Sequence, residues 1–147
     1  MAGTLTLTSS AFDAGGAIPD RYGCNGDGLS PPLSWTDVPD EADSFIIIVT
    51  DPDAGGFVHW ILTDIPGDAR ELPEGEGDTA GVPGRNGFGG IGWGGPCPPS
   101  GEHRYVFELL AVSEPLGLTG DATESRVRAA ADGRTVARAQ LSGTYAR

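Results

Sequence analysis

The run Phe45-Ile46-Ile47-Ile48-Val49-Thr50 constrains this chain more than any other stretch of it. Aromatic and β-branched side chains suit a pleated backbone, and an apolar run without polar alternation predicts a strand buried on both faces. Alternating segments surround it. Thr4 to Leu7 alternates as a short strand, Ser30-Pro31-Pro32-Leu33-Ser34-Trp35 is extended because proline excludes helix, and Phe57 to Ile65, His103 to Val112 and Thr135 to Leu141 alternate again. Between Ile18 and Gly28 the turn dipeptides Asn25-Gly26 and Asp27-Gly28 mark a loop. Asp121-Ala122-Thr123-Glu124 opens a helix that runs through Ala131, with Asp121 or Thr123 as its cap and Gly133 as its stop. Several strands at short spacing, one late helix and no βαβ rhythm predict a mostly β fold. The expected architecture is an antiparallel Greek-key β-sandwich with one short helix in the C-terminal region.

A chain of 147 residues is long enough for one core, so residues 1–147 are expected to form a single domain. Its 24 glycines and 12 prolines suit many turns between short strands. The formal charge is -12, and all nine basic residues are arginine. Without lysine there is no Walker phosphate loop, no pyridoxal Schiff base and no Ser-Lys dyad. Nucleic acid and anionic membrane surfaces both require a cationic footprint, so neither is expected as a partner. An acidic, lysine-free surface fits a salt-rich cytoplasm or a GC-rich genome equally well.

Met1-Ala2-Gly3-Thr4-Leu5-Thr6-Leu7 lacks the basic region and apolar run of a signal peptide, and no stretch has the length of a membrane span. A cytoplasmic protein without a transmembrane segment is expected. Cys24 and Cys97 are far apart in sequence, and a cytosolic pair is usually reduced. Both sit in glycine-rich turns, which leaves a disulfide open.

Chemistry concentrates in two segments, Asp51 to Trp60 and Gly94 to Tyr105, which hold both histidines of the chain. Each joins a Gly/Pro turn to an alternating strand, so acids, imidazoles and a phenol are presented at the mouth of a sheet. Asp51 and Asp53 flank a proline near the strand carrying His59, where a carboxylate can orient an imidazole and keep it protonated. The bland alternative is that both acids cap turns. Strand period puts His103 and Tyr105 on one face, and the Gly94-Gly95-Pro96 turn leaves backbone amides free to form an anion nest. Together these groups suit a phosphate or carboxylate head group. From Pro66 to Gly95 the chain is polar, glycine-rich and too long for an ordinary connection, which predicts a functional loop forming one wall of the site.

Other readings are weaker on the same residues. Gly87-Phe88-Gly89-Gly90-Ile91-Gly92 and Gly75-Glu76-Gly77-Asp78-Thr79-Ala80 match the dinucleotide fingerprint, but Trp93-Gly94-Gly95-Pro96 cannot start the helix that would bind pyrophosphate. Asp51, His59 and His103 resemble a metal triad in residue type and raise a metal-dependent hydrolase as an alternative, yet their spacing lacks a compact ligand motif. No G-x-S-x-G elbow exists, Cys97 is bracketed by prolines, and Ser100 has no base apart from the two histidines.

These residues also carry a resemblance. Ile18-Pro19, Cys24-Asn25-Gly26, Ser30 to Trp35, Val38-Pro39, Asp51-Pro52-Asp53-Ala54, His59-Trp60, Gly94 to Pro99, His103-Arg104-Tyr105 and Gly143-Thr144-Tyr145 occur in the order of one family. The chain resembles the phosphatidylethanolamine-binding protein family, in its bacterial and archaeal Raf-kinase-inhibitor-like branch. The resemblance implies a β-sandwich whose cavity at one end binds anions, including the phosphate of phosphatidylethanolamine-like ligands, without catalysis or cofactor. Asp51, Asp53, His59, His103 and Tyr105 would line that cavity, with Gly95 and Pro96 as its backbone wall and Arg104 on the opposite strand face. Gly55 stands where the family pattern usually has proline, and the loop to His59 is shorter than usual, which implies a wider or more flexible rim. The expected protein is a non-enzymatic binder of a small anionic or phosphorylated ligand, acting in regulation. The alternative is a protease or kinase inhibitor working through the Pro66 to Gly95 loop. The sequence carries no indication of oligomeric state.

Overall fold

A computed structural model describes residues 4–146, so Met1, Ala2 and Gly3 of the leader reading lie outside it. Eight strands and one helix follow in order: β1 (Thr6–Thr8), β2 (Leu33–Thr36), β3 (Ser44–Asp51), β4 (Phe57–Pro66), β5 (Glu71–Leu72), β6 (Val82–Pro83), β7 (Glu102–Val112), α1 (Glu124–Ala131) and β8 (Thr135–Ala146). They form a three-stranded sheet ordered β1-β2-β5 and a five-stranded sheet ordered β6-β4-β3-β7-β8. All the strand pairs in both sheets are antiparallel.

The apolar run lies at the centre of the larger sheet, as its composition requires. Phe45, Ile47 and Val49 face the interior between the sheets, where Leu7, Leu33, Trp35 and Leu72 of the smaller sheet meet them. Ile46 and Ile48 face the other way, against Val127 and Ala131 of α1 and against Ile61, Leu110 and Val112. All five side chains from Phe45 to Val49 are inaccessible to solvent. Burying each such side chain contributes about 1.5–3 kcal/mol, and the flanking strands β4 and β7 add Trp60, Ile61, Leu62, Phe107 and Leu109 to the core.

The helix begins at Thr123, whose side chain accepts from the Arg126 amide, and not at Asp121, whose carboxylate accepts from the Thr119 hydroxyl. Strand β8 runs five residues past the alternation expected to end at Leu141. The extension passes through Gly143, where a Cβ would come within 2.7 Å of Ile18 and 2.8 Å of Phe12. A glycine that looks like a break thus lets two core side chains close over the strand.

Cys24 and Cys97 are joined, with their Cα atoms 5.3 Å apart. This corrects the reduced pair expected from a cytoplasmic reading. The bridge fastens the loop after Tyr22 to the loop preceding β7, and the Cys24 amide donates to the Pro96 carbonyl beside it at 3.0 Å. No helix among the described residues is long and apolar enough to cross a membrane.

Candidate functional site

The central strand ends at Asp51, and the chain reverses through the single turn Pro52–Ala54 before β4 starts at Phe57. Gly55 closes that turn in the left-handed region at φ 68°, a conformation proline cannot adopt, so the departure from the family pattern has a backbone cause. Asp51 is 2% exposed, and both of its oxygens are in use. Oδ1 accepts from the Asp53 amide at 2.9 Å, and Oδ2 accepts from His103 Nδ1 at 2.7 Å. Asp53 in turn accepts from the Arg104 amide at 2.8 Å. The two acids therefore bolt the turn to the start of β7.

His59 has a different partner from the one its sequence neighbours suggest. Its Nδ1 donates to the Gly94 carbonyl at 2.7 Å, and the Gly94 amide donates back to the His59 carbonyl at 2.8 Å. This reciprocal clasp fixes the ring and leaves Nε2 without a hydrogen bond among the described residues. Burial pushes the His59 pKa below its ordinary value, against weaker opposing effects of the Gly94 carbonyl, Asp51 and the Gly95 carbonyl. The ring is accordingly neutral at pH 7, and the carboxylate expected to keep it charged is engaged with His103 instead.

Tyr105 follows His103 by two residues on β7 and faces the same side. Its ring meets the His59 ring edge-on at 5.0 Å and lies 6.5 Å from the His103 ring. The phenol oxygen is buried and has no hydrogen-bond partner among the described residues. Burial, reinforced by Asp51, raises its pKa above the ordinary phenol value, so it stays a neutral donor. A buried hydroxyl without a partner costs about 1–3 kcal/mol, a cost that a ligand accepting its proton would remove.

These groups surround a cavity of about 160 Å³. Of the residues that the resemblance implies for a cavity, Asp51, His59, His103 and Tyr105 border this one. Asp53, Gly95 and Pro96 do not. Asp53 is turned to the β7 backbone, Gly95 belongs to an adjoining groove beside Gly23 and Cys24, and the Pro96 carbonyl is occupied by Cys24. Of the expected amide nest, Gly94 has its N–H taken by the His59 carbonyl and Pro96 has none, which leaves the Gly95 amide alone. Arg104 is exposed on the outer face of β7, opposite the cavity.

Sequence reasoning missed the apolar wall. Phe57, Phe88, Ala54, Pro98, Pro99 and Cys97 complete the lining. Phe57 and Phe88 pack edge-to-face at 4.8 Å, and Phe88 also meets the His59 ring at 5.5 Å. Phe88 comes from the long loop expected to form a wall. Asn86 shapes that loop: its Oδ1 accepts from the Phe88 and Gly90 amides at 2.9 and 3.1 Å, and its Nδ2 donates to the Gly92 carbonyl at 3.0 Å. The available signal was an aromatic residue amid glycines, but its partner lies about thirty residues away.

Among the described residues no arginine borders the cavity. A unit negative charge about 5 Å from the Asp51 carboxylate is repelled by about 3 kcal/mol at an effective dielectric of about 20. Two hydrogen bonds to that charge, each contributing about 1.5–3 kcal/mol, are enough to offset it. Among the described residues no three His, Cys, Asp or Glu side chains are arranged to hold a metal ion, and Asp51, His59 and His103 do not form such a set.

A two-sheet sandwich with a small polar-floored cavity at the end of its central strand defines the class of protein. Residues 8–146 match the family model described as phosphatidylethanolamine-binding protein, and the chain belongs to that family. It is 43% identical to a UPF0098 protein of Methanothermobacter thermautotrophicus, an alignment covering 97% of this chain and 99% of that one. Among solved structures, a phosphatidylethanolamine-binding protein homologue from Chlamydia trachomatis matches with a TM-score of 0.93 at 40% identity, covering 98% of each chain. YbcL of E. coli, described as a member of the mammalian family, matches with a TM-score of 0.90 at 29% identity over 99% of each chain.

Proposed function

We propose that this protein is a non-enzymatic binding protein whose cavity at the end of the sandwich holds a small anionic or phosphorylated group, and that its occupancy serves regulation. The observation that carries this reading is the unpartnered Tyr105 hydroxyl, buried beside two imidazoles whose Nδ1 atoms are already fixed. The floor has unmet hydrogen-bonding capacity, while its one carboxylate is held by donors. Membership of the phosphatidylethanolamine-binding protein family and the likeness to its Chlamydia trachomatis homologue support a phosphorylated head group. The chain's lack of a nucleophile motif supports binding over turnover.

Inhibition of a protease or kinase through the Pro66 to Gly95 loop draws on a single feature, the exposure of Phe88 and Ile91. The cavity reading rests on more. Calorimetry or phosphorus NMR with phosphate, phosphoethanolamine and acetate tests it: His59→Ala and His103→Ala should each abolish binding. Unchanged binding in both variants would show that the site is elsewhere.

A further inference from the structure

The walls of the cavity are held in place by different means. Phe88 and Cys97 border both the cavity and the adjoining groove, so they form the partition between the two. Asn86 fixes the Phe88 loop through its three side-chain hydrogen bonds. Cys97, Pro98 and Pro99 line the cavity from a segment of the opposite kind. Among the described residues no hydrogen bond engages residues 97–101, between the Pro96 carbonyl and Glu102, where β7 begins. What holds this segment is the packing of the buried Pro98 ring and the bond from Cys97 to Cys24. The Cys24 side of the bridge is anchored independently. The Asn25 amide donates to the Tyr145 hydroxyl at 3.0 Å, the Gly26 amide to the Gly23 carbonyl at 3.1 Å and the Leu29 amide to the Arg21 carbonyl at 3.0 Å. Cutting the bridge therefore releases one side and leaves the other in place.

The two sulfurs also differ in access, since Cys24 is exposed and Cys97 is half-buried. A thiolate of a dithiol reductant that attacks Cys24 Sγ expels Cys97 as its thiolate and leaves a mixed disulfide on Cys24. The second thiol of the reductant then displaces Cys24 and closes the reductant's own disulfide. Two electrons and two protons pass to the protein, where one S–S bond breaks, and one S–S bond forms in the reductant. We propose that Cys24–Cys97 is a redox-reversible latch on the cavity: a dithiol opens it at Cys24, residues 97–101 come away from the cavity wall, and the sandwich stays folded. The cavity and the groove beside it are then no longer separated at Cys97. This goes beyond the anion-cavity reading and does not depend on it.

The test is backbone amide relaxation measured by NMR on the intact protein, before and after excess dithiothreitol, with free thiols read by mass after alkylation. Both cysteines should become free thiols. The order parameters of the Cys97, Ser100 and Gly101 amides should fall from about 0.85 to below about 0.6. Those of Asn25 and Gly26, and of Ile47 and Phe107 in the central strands, should keep their values. Reoxidation with a small-molecule disulfide should restore the first set. Cys24→Ser with Cys97→Ser should show the reduced pattern with or without dithiothreitol. A bridge that excess dithiothreitol leaves intact would overturn the proposal, as would a 97–101 segment whose order is the same in the two states. Loss of order at Ile47 and Phe107 along with that segment would overturn it too, because the bridge would then be a staple of the whole fold.

Discussion

Two neighbouring stretches of β7 treat polar groups in opposite ways. Glu108 faces outward to α1, where Arg128 bonds it at 2.8 Å and also bonds Glu124 at 2.8 Å, so each carboxylate of this cluster has a donor. Tyr105, three residues earlier and on the inner face, has a buried hydroxyl without a partner among the described residues. The first arrangement holds a helix on a sheet. The second leaves hydrogen-bonding capacity unspent in a cavity, at a cost to the empty fold that an incoming group can relieve. Among the described residues four buried polar side-chain atoms lack a partner, Trp35 Nε1, Ser44 Oγ, Trp93 Nε1 and the Tyr105 hydroxyl, and of these Tyr105 alone borders the cavity.

The largest expected effect concerns what holds the site end together. The Cys24–Cys97 bridge closes a loop with a sequence separation of 73, and the chain-entropy relation assigns such a loop about 4 kcal/mol. Cys24→Ser with Cys97→Ser should lower the denaturant-derived stability by up to that amount. It should also weaken ligand binding, because Cys97 borders the cavity. Unchanged binding in the double variant would separate the bridge from the site.

A smaller effect is expected at the matched end. Arg128→Met removes the partner of Glu108, whose side chain is 15% exposed, and should cost about 1–2 kcal/mol in urea unfolding. Ligand affinity should stay the same, since α1 does not touch the cavity. A loss of affinity without a loss of stability would reverse the assignment of roles.

The fold was legible wherever local pattern and burial agree. The unbroken run from Phe45 to Thr50 announced the central strand, and the alternation from His103 announced β7 with Tyr105, Phe107 and Leu109 on its inner face. Strand β8 was read short because Gly143 interrupts the pattern for a reason that lies in Phe12 and Ile18, more than a hundred residues away. In the site, strand period brought His103 and Tyr105 to one side, and the turn chemistry of Asp-Pro-Asp placed Asp51 at the cavity edge. Partner choice was not legible. Asp51 bonds a histidine 52 residues on, while His59, only eight residues away, bonds a backbone carbonyl in the long loop. Such pairings depend on which loops meet at the sheet end, and neighbouring residues do not encode that. The same holds for the Phe57–Phe88 wall.

Tyr105→Phe tests the central claim most directly, because it deletes the unmatched hydroxyl and nothing else. The account predicts that stability is unchanged or slightly higher, since an unpaired buried oxygen is removed, while affinity for phosphoethanolamine measured by calorimetry falls about tenfold, the loss of one hydrogen bond to a charged group. A variant that binds phosphoethanolamine as tightly as the parent protein would contradict it.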